Sequence, residues 1–303
     1  MTQGNKIAWD DTVLPFQLDA SDIRGRVARL DGVLEGILRQ HEYPDKVEAL
    51  VAEMALLTAL IGQTIKLRWK LQLQVQSKGP VRMIATDYYG PTEDGEPARI
   101  RAYASYDADR ITDGPAFDQV GEGYFAIMID QGNGMTPYQG ITPLTGKSLS
   151  ECAEAYFAQS EQLPTLIRVA TRSGDQGCVA GGFLVQHLPE GEEGRERLHV
   201  RLDHPEWEHV AVMAGSLTHA ELLDPQISQE ALLWRLFHEE DEVRVEKGPA
   251  LARGCRCTIE HYRTVLSRFP ADERAEMVGD DGAIGVDCAF CSKRFAIDPA
   301  ELG

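Results

Sequence analysis

A surplus of positive charge is the first thing this sequence lacks. Lys and Arg number 30 against 48 Asp and Glu, a formal net charge of -18. Such a surface repels phosphate backbones and anionic lipid, so neither nucleic acid nor a membrane is expected as a partner. Long apolar runs are missing too. The most apolar stretch, "VEALVAEMALLTALIG", carries Glu48 and Glu53 and is too short and too charged to span a bilayer. The start, "MTQGNKIAWDD", has no basic cluster and no apolar run of signal-peptide length, so a cytoplasmic location is expected. Repeats and low-complexity tracts are absent. "GNG" at 132–134 lacks the strand–loop–helix context of a phosphate site. Glu161 in "SEQLPT" has no acid, base or nucleophile near it and reads as part of a helix-end motif. No enzyme activity is expected.

Cysteine is scarce, and its distribution is uneven. Of six cysteines, four fall in the last fifty residues, as Cys255-x-Cys257 and, thirty residues later, Cys288-x-x-Cys291. In a reducing compartment such pairs serve as metal ligands or redox groups more often than as static disulfides. Two close pairs suit a tetrahedral zinc ion held by four thiolates. Cys152 reads as a core thiol on an amphipathic helix. Cys178, in "SGDQGCVAGG", reads as an exposed loop residue. His261 lies four residues beyond Cys257, but four cysteines already complete a tetrahedron.

The remaining sequence falls into three regions. Residues 1–189 read as an α+β domain with an antiparallel sheet. A helix is expected from Ser21, since Ile23, Val27, Leu30, Val33, Leu34, Ile37 and Leu38 recur at steps of three and four. A second, more apolar helix is expected from Pro44 to about residue 64, deep in the core. "KLQLQVQ" alternates strictly, placing Leu71, Leu73 and Val75 on one face of a strand. "VRMIATDYY", "ARIRAYA", "GYFAIMID", "TLIRVAT" and "GGFLVQHLP" read as further strands. "LSECAEAYFAQS" reads as a helix, and "GNGMTPYQG" as a turn-rich connection.

Residues 190–250 form an acidic helical linker, with fifteen Asp/Glu against six Lys/Arg, a net of -9. Thr218 and Glu221 make a capping box, and "SQEALLWRLFHEE" is amphipathic. These short helices cannot build a core of their own. The apolar residues Leu217, Leu222, Leu223, Trp234 and Phe237 are expected to pack on the preceding domain. Residues 251–303 are too few and too polar to fold without a staple. Zinc could supply it, since apparent binding energies of about 10–16 kcal/mol are typical of small zinc modules. Held thiolates are also the form that oxidants attack. The residues alone leave open whether the zinc is a plain structural ribbon or a redox switch.

Several blocks accompany the cysteines: "RGRVARL", "HEYP", "LQLQVQSKGP", "YQGITPLTG", "QSEQLPT", "AGGFLVQHLP" and "LLWRLFHEE". In this order, and over nearly the whole chain, they resemble the heat shock protein 33 family of redox-regulated bacterial chaperones. The resemblance implies an α+β domain, a helical linker and a small C-terminal zinc domain. It implies an ATP-independent holdase whose reduced, zinc-bound form is inactive. Cys255, Cys257, Cys288 and Cys291 would hold the zinc. Oxidation would form the disulfides Cys255–Cys257 and Cys288–Cys291, release the zinc, unfold the linker and expose client-binding surface. Leu217, Leu222, Leu223, Trp234 and Phe237 would belong to that surface, since apolar contact is non-directional and suits clients of many sequences. The tight Cys255–Cys257 ring should be the less stable of the two, so Cys288–Cys291 should form first. The activated form would bind unfolded client proteins and form a homodimer. Three positions depart from the family pattern: Thr258 for Ser, Arg253 for an aromatic and Phe295 for Tyr. The segment 190–210 also looks longer than usual.

Two rival functions use the same cysteines. A thiol–disulfide oxidoreductase acting through Cys288 and Cys291 should survive replacement of Cys255 and Cys257 by serine. A zinc-ribbon adaptor should lose structure and binding, and the chaperone should lose its redox control. Seven Lys/Arg against nine Asp/Glu in 251–303 argue against an adaptor for nucleic acid.

Overall fold

The computed structural model describes residues 11–65, 67, 69–92, 94–132, 134–174, 177–188 and 205–302. The chain divides into two compact units, Met1–Arg253 and Gly254–Gly303.

The first unit opens with strands β1 (Thr12–Leu18) and β2 (Ile23–Leu30), then helices α1 (Gly32–Leu38) and α2 (Asp45–Gly62). The helix expected from Ser21 is therefore a strand followed by a helix beginning at Gly32. The cause lies in burial on both faces. Ile23 and Val27 point to one cluster, Ala28 and Leu30 to another. A strand buried on both sides loses its polar alternation, and its apolar residues then mimic helical spacing. Gly25 also favours the strand: a Cβ there would stand 2.1 Å from the Phe16 ring.

Helix α2 forms as expected, with Pro44 as its N-cap, and it is buried on nearly every side. Strands β3 (Lys70–Ser77), β4 (Val81–Tyr89), β5 (Ala98–Tyr106), β6 (Gly123–Asp130) and β7 (Tyr138–Pro143) follow. They form one sheet that lays Leu71, Leu73, Val75, Ile84 and Phe125 into the main apolar cluster with α2. β7 corrects the reading of "GNGMTPYQG" as connection throughout, because its last residues pair with β6. Helix α3 (Leu149–Tyr156) starts at the Ser148 cap. It ends in a wider turn, Phe157–Glu161, where Glu161 accepts from the Tyr138 and Tyr156 hydroxyls at 2.7 and 3.0 Å.

Strands β8 (Thr165–Arg172) and β9 (Val179–His187) join β1 and β2 in a second sheet. Three helices then come from the acidic segment: α4 (Pro205–Gly215), α5 (His219–Leu223) and α6 (Gln229–Phe237). They lie on the face of the second sheet opposite α2, burying Val210, Leu222, Leu232 and Phe237 with Phe16, Val27 and Phe183. Thr218 and Glu221 form the expected capping box. Most of the segment 190–210, for which the sequence suggests extra length, lies outside the described residues. β10 (Arg244–Val245) then adds to β1, and β11 (Leu251–Arg253) to β5. The sheet orders are β10-β1-β2-β9-β8 and β11-β5-β4-β3-β6-β7, antiparallel except at β11. The architecture is α+β, with α2 between two sheets.

The second unit holds α7 (Ile259–Leu266), α8 (Ala271–Glu276) and the hairpin β12 (Ile284–Asp287) with β13 (Arg294–Ile297). Its core centres on Leu266, Ile284, Ile297 and Leu302.

Candidate metal centre

Two backbone devices bring the four C-terminal cysteines together. Cys255 and Cys257 lie in the irregular stretch before α7. Thr258 fixes where that helix begins, its hydroxyl accepting from the His261 N–H at 3.2 Å. The hydroxyl retained at this position is thus an N-cap. Cys288 follows β12 and opens a tight turn. Its carbonyl accepts from the Cys291 and Ser292 N–H groups at 3.3 and 2.8 Å, and its own N–H donates to Lys293 at 2.9 Å. Ser292 takes a left-handed φ of 54° to close the turn.

The four sulfurs lie within 4.8 Å of one another. Cys255 Sγ is 3.6 Å from Cys288 Sγ, and Cys257 Sγ is 3.4 Å from Cys291 Sγ. These short contacts run between the two cysteine pairs. Tetrahedral zinc with bonds of about 2.3 Å would set its sulfurs about 3.8 Å apart, so the cluster and its donor set fit such an ion. His261, exposed on α7, is not part of the cluster.

The thiols are not equivalent. Burial raises the Cys288 pKa, but donors outweigh it: the Tyr262 hydroxyl, then the Cys291 and Phe290 N–H groups, bring the thiol down to about 7. Burial, followed by hydrogen bonding with Cys291, pushes Cys257 up. Burial also raises Cys291. No sequence pattern marks Tyr262, yet it supplies the largest of these donor effects on Cys288. Its ring lies 5.0 Å from Phe295, over which Lys293 Nζ sits at 4.9 Å.

The other two cysteines are unlike these. Cys152 is a core thiol whose pKa burial lifts to about 11. Cys178 is buried rather than exposed, because the glycine-rich loop turns it into the main cluster. Burial, then the nearby Glu48, raises it to about 12, so it is a poor nucleophile at neutral pH.

The five apolar linker residues also divide. Leu217, Leu222 and Phe237 are buried and Leu223 packs half-buried against the second sheet. Trp234 does not pack there and is 68% exposed. The buried stripe of α6 runs through Gln229, Leu232, Leu233, Leu236 and Phe237, and Trp234 lies off it. Its ring stacks on His238 one turn later, 4.9 Å between centroids. No described helix is long and apolar enough to cross a membrane.

Comparison with known proteins adds four findings. A family model described as Hsp33 protein matches residues 11–298. The 33 kDa chaperonin of Caulobacter vibrioides is 38% identical over 301 residues, covering 96% of this chain and 95% of its own. That of Azotobacter vinelandii is 33% identical over 294 residues, covering 95% and 91%. Among solved structures, the 33 kDa chaperonin (heat shock protein 33 homolog) of Thermotoga maritima superposes with a TM-score of 0.77. It does so at 20% identity over 96% of both chains, a likeness of fold.

Proposed function

This chain belongs to the Hsp33 family, and from that premise we propose that it is an oxidation-activated, ATP-independent holdase for unfolding proteins. The observation that carries the proposal is the pairing of two features. One is a four-cysteine cluster in a unit with a small apolar core. The other is a large apolar face that, among the described residues, is covered by short helices from an acidic segment.

Cys255, Cys257, Cys288 and Cys291 would hold one zinc ion in the reduced, inactive state. Bound zinc would keep all four sulfurs deprotonated and tie the two cysteine pairs together. Peroxide then oxidises the sulfurs in their close pairs. Two thiolates, one hydrogen peroxide and two protons from solvent give one disulfide and two waters, with two electrons passing from sulfur to peroxide. A second peroxide oxidises the other pair. Cys288–Cys291 forms first, because the Cys255–Cys257 ring is the more strained. Sulfurs bonded to each other no longer serve as ligands, so residues 251–303 lose their staple and unfold. Residues 190–250, marginally stable by composition, lose a folded neighbour in the chain and leave the core domain of residues 1–189.

The release uncovers two apolar surfaces, the linker residues Leu217, Leu222, Leu223 and Phe237 and the sheet face around Phe16, Val27 and Phe183. Such contact is non-directional and suits clients of many sequences. The same faces favour a homodimer of the activated form, and the acidic linker keeps complexes soluble.

Light scattering from a heat-unfolding test protein checks the proposal. The protein is added either reduced with zinc or after peroxide at mildly elevated temperature. Suppression of aggregation by the oxidised form alone is expected. Equal suppression by both forms removes the redox control, and none by either removes the holdase.

A further inference from the structure

Arg29 leads the fully buried side chains of the described residues in size, yet it carries a charge and is only 1% exposed. It sits on β2 in register with Gly181 of β9, on the face that α4–α6 cover. Its Nε donates to the Leu222 carbonyl at 3.0 Å and its Nη2 to the Glu221 carbonyl at 3.1 Å. Nη1 donates to the Ile227 carbonyl. Across the strand pair, a Cβ on Gly181 would stand 2.1 Å from that same Leu222 oxygen. Glycine makes room for the carbonyl, and arginine supplies its donor.

The three carbonyls mark a mechanical junction. Glu221 and Leu222 close α5, and Ile227 precedes Ser228, the N-cap of α6. A helix of five residues cannot satisfy its last carbonyls internally, and it is not stable alone. One guanidinium therefore anchors the end of α5 and the start of α6 together. Apolar contact tolerates sliding, whereas a planar fork on three carbonyls fixes position and breaks as a unit.

We infer that Arg29 and Gly181 form a polar latch holding the acidic helices on the sheet, and that opening it activates the chain with its zinc still bound. The inference rests on the proposed holdase function. Arg29 is a positioning residue: its work is done on the linker backbone.

The test uses the full-length, reduced, zinc-loaded protein and the variants Arg29→Met, Arg29→Lys and Gly181→Ala. Hydrogen exchange, zinc content and suppression of aggregation are measured together. Residues 205–237 should exchange on the order of 10- to 100-fold faster, as expected for loss of hydrogen bonds to a charged group. Residues 45–62 should stay protected, zinc should be retained, and the reduced variants should suppress aggregation. Arg29→Lys, which keeps the charge but not the fork, should fall between Arg29→Met and the unsubstituted chain.

Unchanged exchange over 205–237 overturns the latch. So does equal loss of protection over 45–62, which would make Arg29 and Gly181 ordinary core residues. The oxidised, unsubstituted chain is run in parallel. If it suppresses aggregation while the freed but reduced variants do not, the inference falls. If it fails while 205–237 is still selectively freed in the variants, the holdase function falls and the mechanical latch stands.

Discussion

The second sheet buries both of its faces, and the two covers differ. The inner face lies under α2, a single helix of 18 residues buried on nearly all sides and shared with the other sheet. The outer face lies under α4, α5 and α6, helices of 11, 5 and 9 residues from the most acidic part of the chain. Neighbouring glycines of β9 show the contrast at one point. A Cβ on Gly182 would meet Leu56 Cδ2 at 2.8 Å, while one on Gly181 would meet the Leu222 backbone. One glycine fits the sheet to a permanent core and the other to a removable cover. Equal burial does not mean equal permanence: short helices owe almost all their stability to the surface beneath them.

The largest effect that sharpens this contrast is loss of the metal. A chelator, or Cys288→Ser, should remove a contribution of about 10–16 kcal/mol from the terminal unit. Hydrogen exchange should then show residues 254–303 unprotected, residues 205–237 faster and residues 45–62 unchanged. Faster exchange in α2 would break the distinction between the covers.

Cavity variants come next. Leu57→Ala in α2, at a fully buried position of the main cluster, should cost about 2–5 kcal/mol and lower the midpoint of global unfolding. Leu232→Ala in α6 removes similar apolar area from the outer cluster. Its cost should appear as faster exchange over 205–237, with a much smaller shift of the global midpoint. Trp234→Ala, at a residue 68% exposed, should change stability by no more than about 0.5 kcal/mol. Denaturant unfolding and exchange on the same samples decide each case.

How far the sequence reveals these features depends on how local their signals are. The two cysteine pairs, the capping box and the alternation of Leu71, Leu73 and Val75 are local patterns, and the structure contains each of them. β2 was hidden because burial on both faces erases the polar phase of a strand. Arg29 shares that ambiguity, because on a helix it would read as a solvated charge. Its register against Gly181 and its bonds to carbonyls of α5 place it beneath the outer cover. Cys178 misled for the opposite reason, since its glycine-rich surroundings describe the loop and not the direction of its side chain. Tyr262 reaches Cys288 across 26 positions of sequence, and no spacing rule connects them.

Acid should separate the two covers by sign, with the smallest effect of the series. Glu53 of α2 accepts from the Ser150 N–H and hydroxyl at 2.9 and 3.0 Å. Burial raises its pKa above the ordinary 4.5, the Ser150 bonds only partly opposing it. The folded state therefore holds this proton more tightly, and its contribution is full below 4.5 and declines as pH rises toward the folded value. Glu221 of α5 behaves oppositely. The Thr218 N–H, then the Thr218 hydroxyl, hold its carboxylate below 4.5. Its contribution is present above that value and is lost as pH falls through the folded one. Lowering the pH should thus favour the inner cover and loosen the outer one. Glu53→Gln should flatten the decline of global stability above pH 4.5. Glu221→Gln should leave global stability alone and remove the acid-side loss of protection over 205–237. The Glu221 effect is the lesser, because that carboxylate is partly exposed and screened by solvent. If both variants shifted the same segment in the same direction, the two helical covers would be one cooperative layer and the contrast between them would be lost.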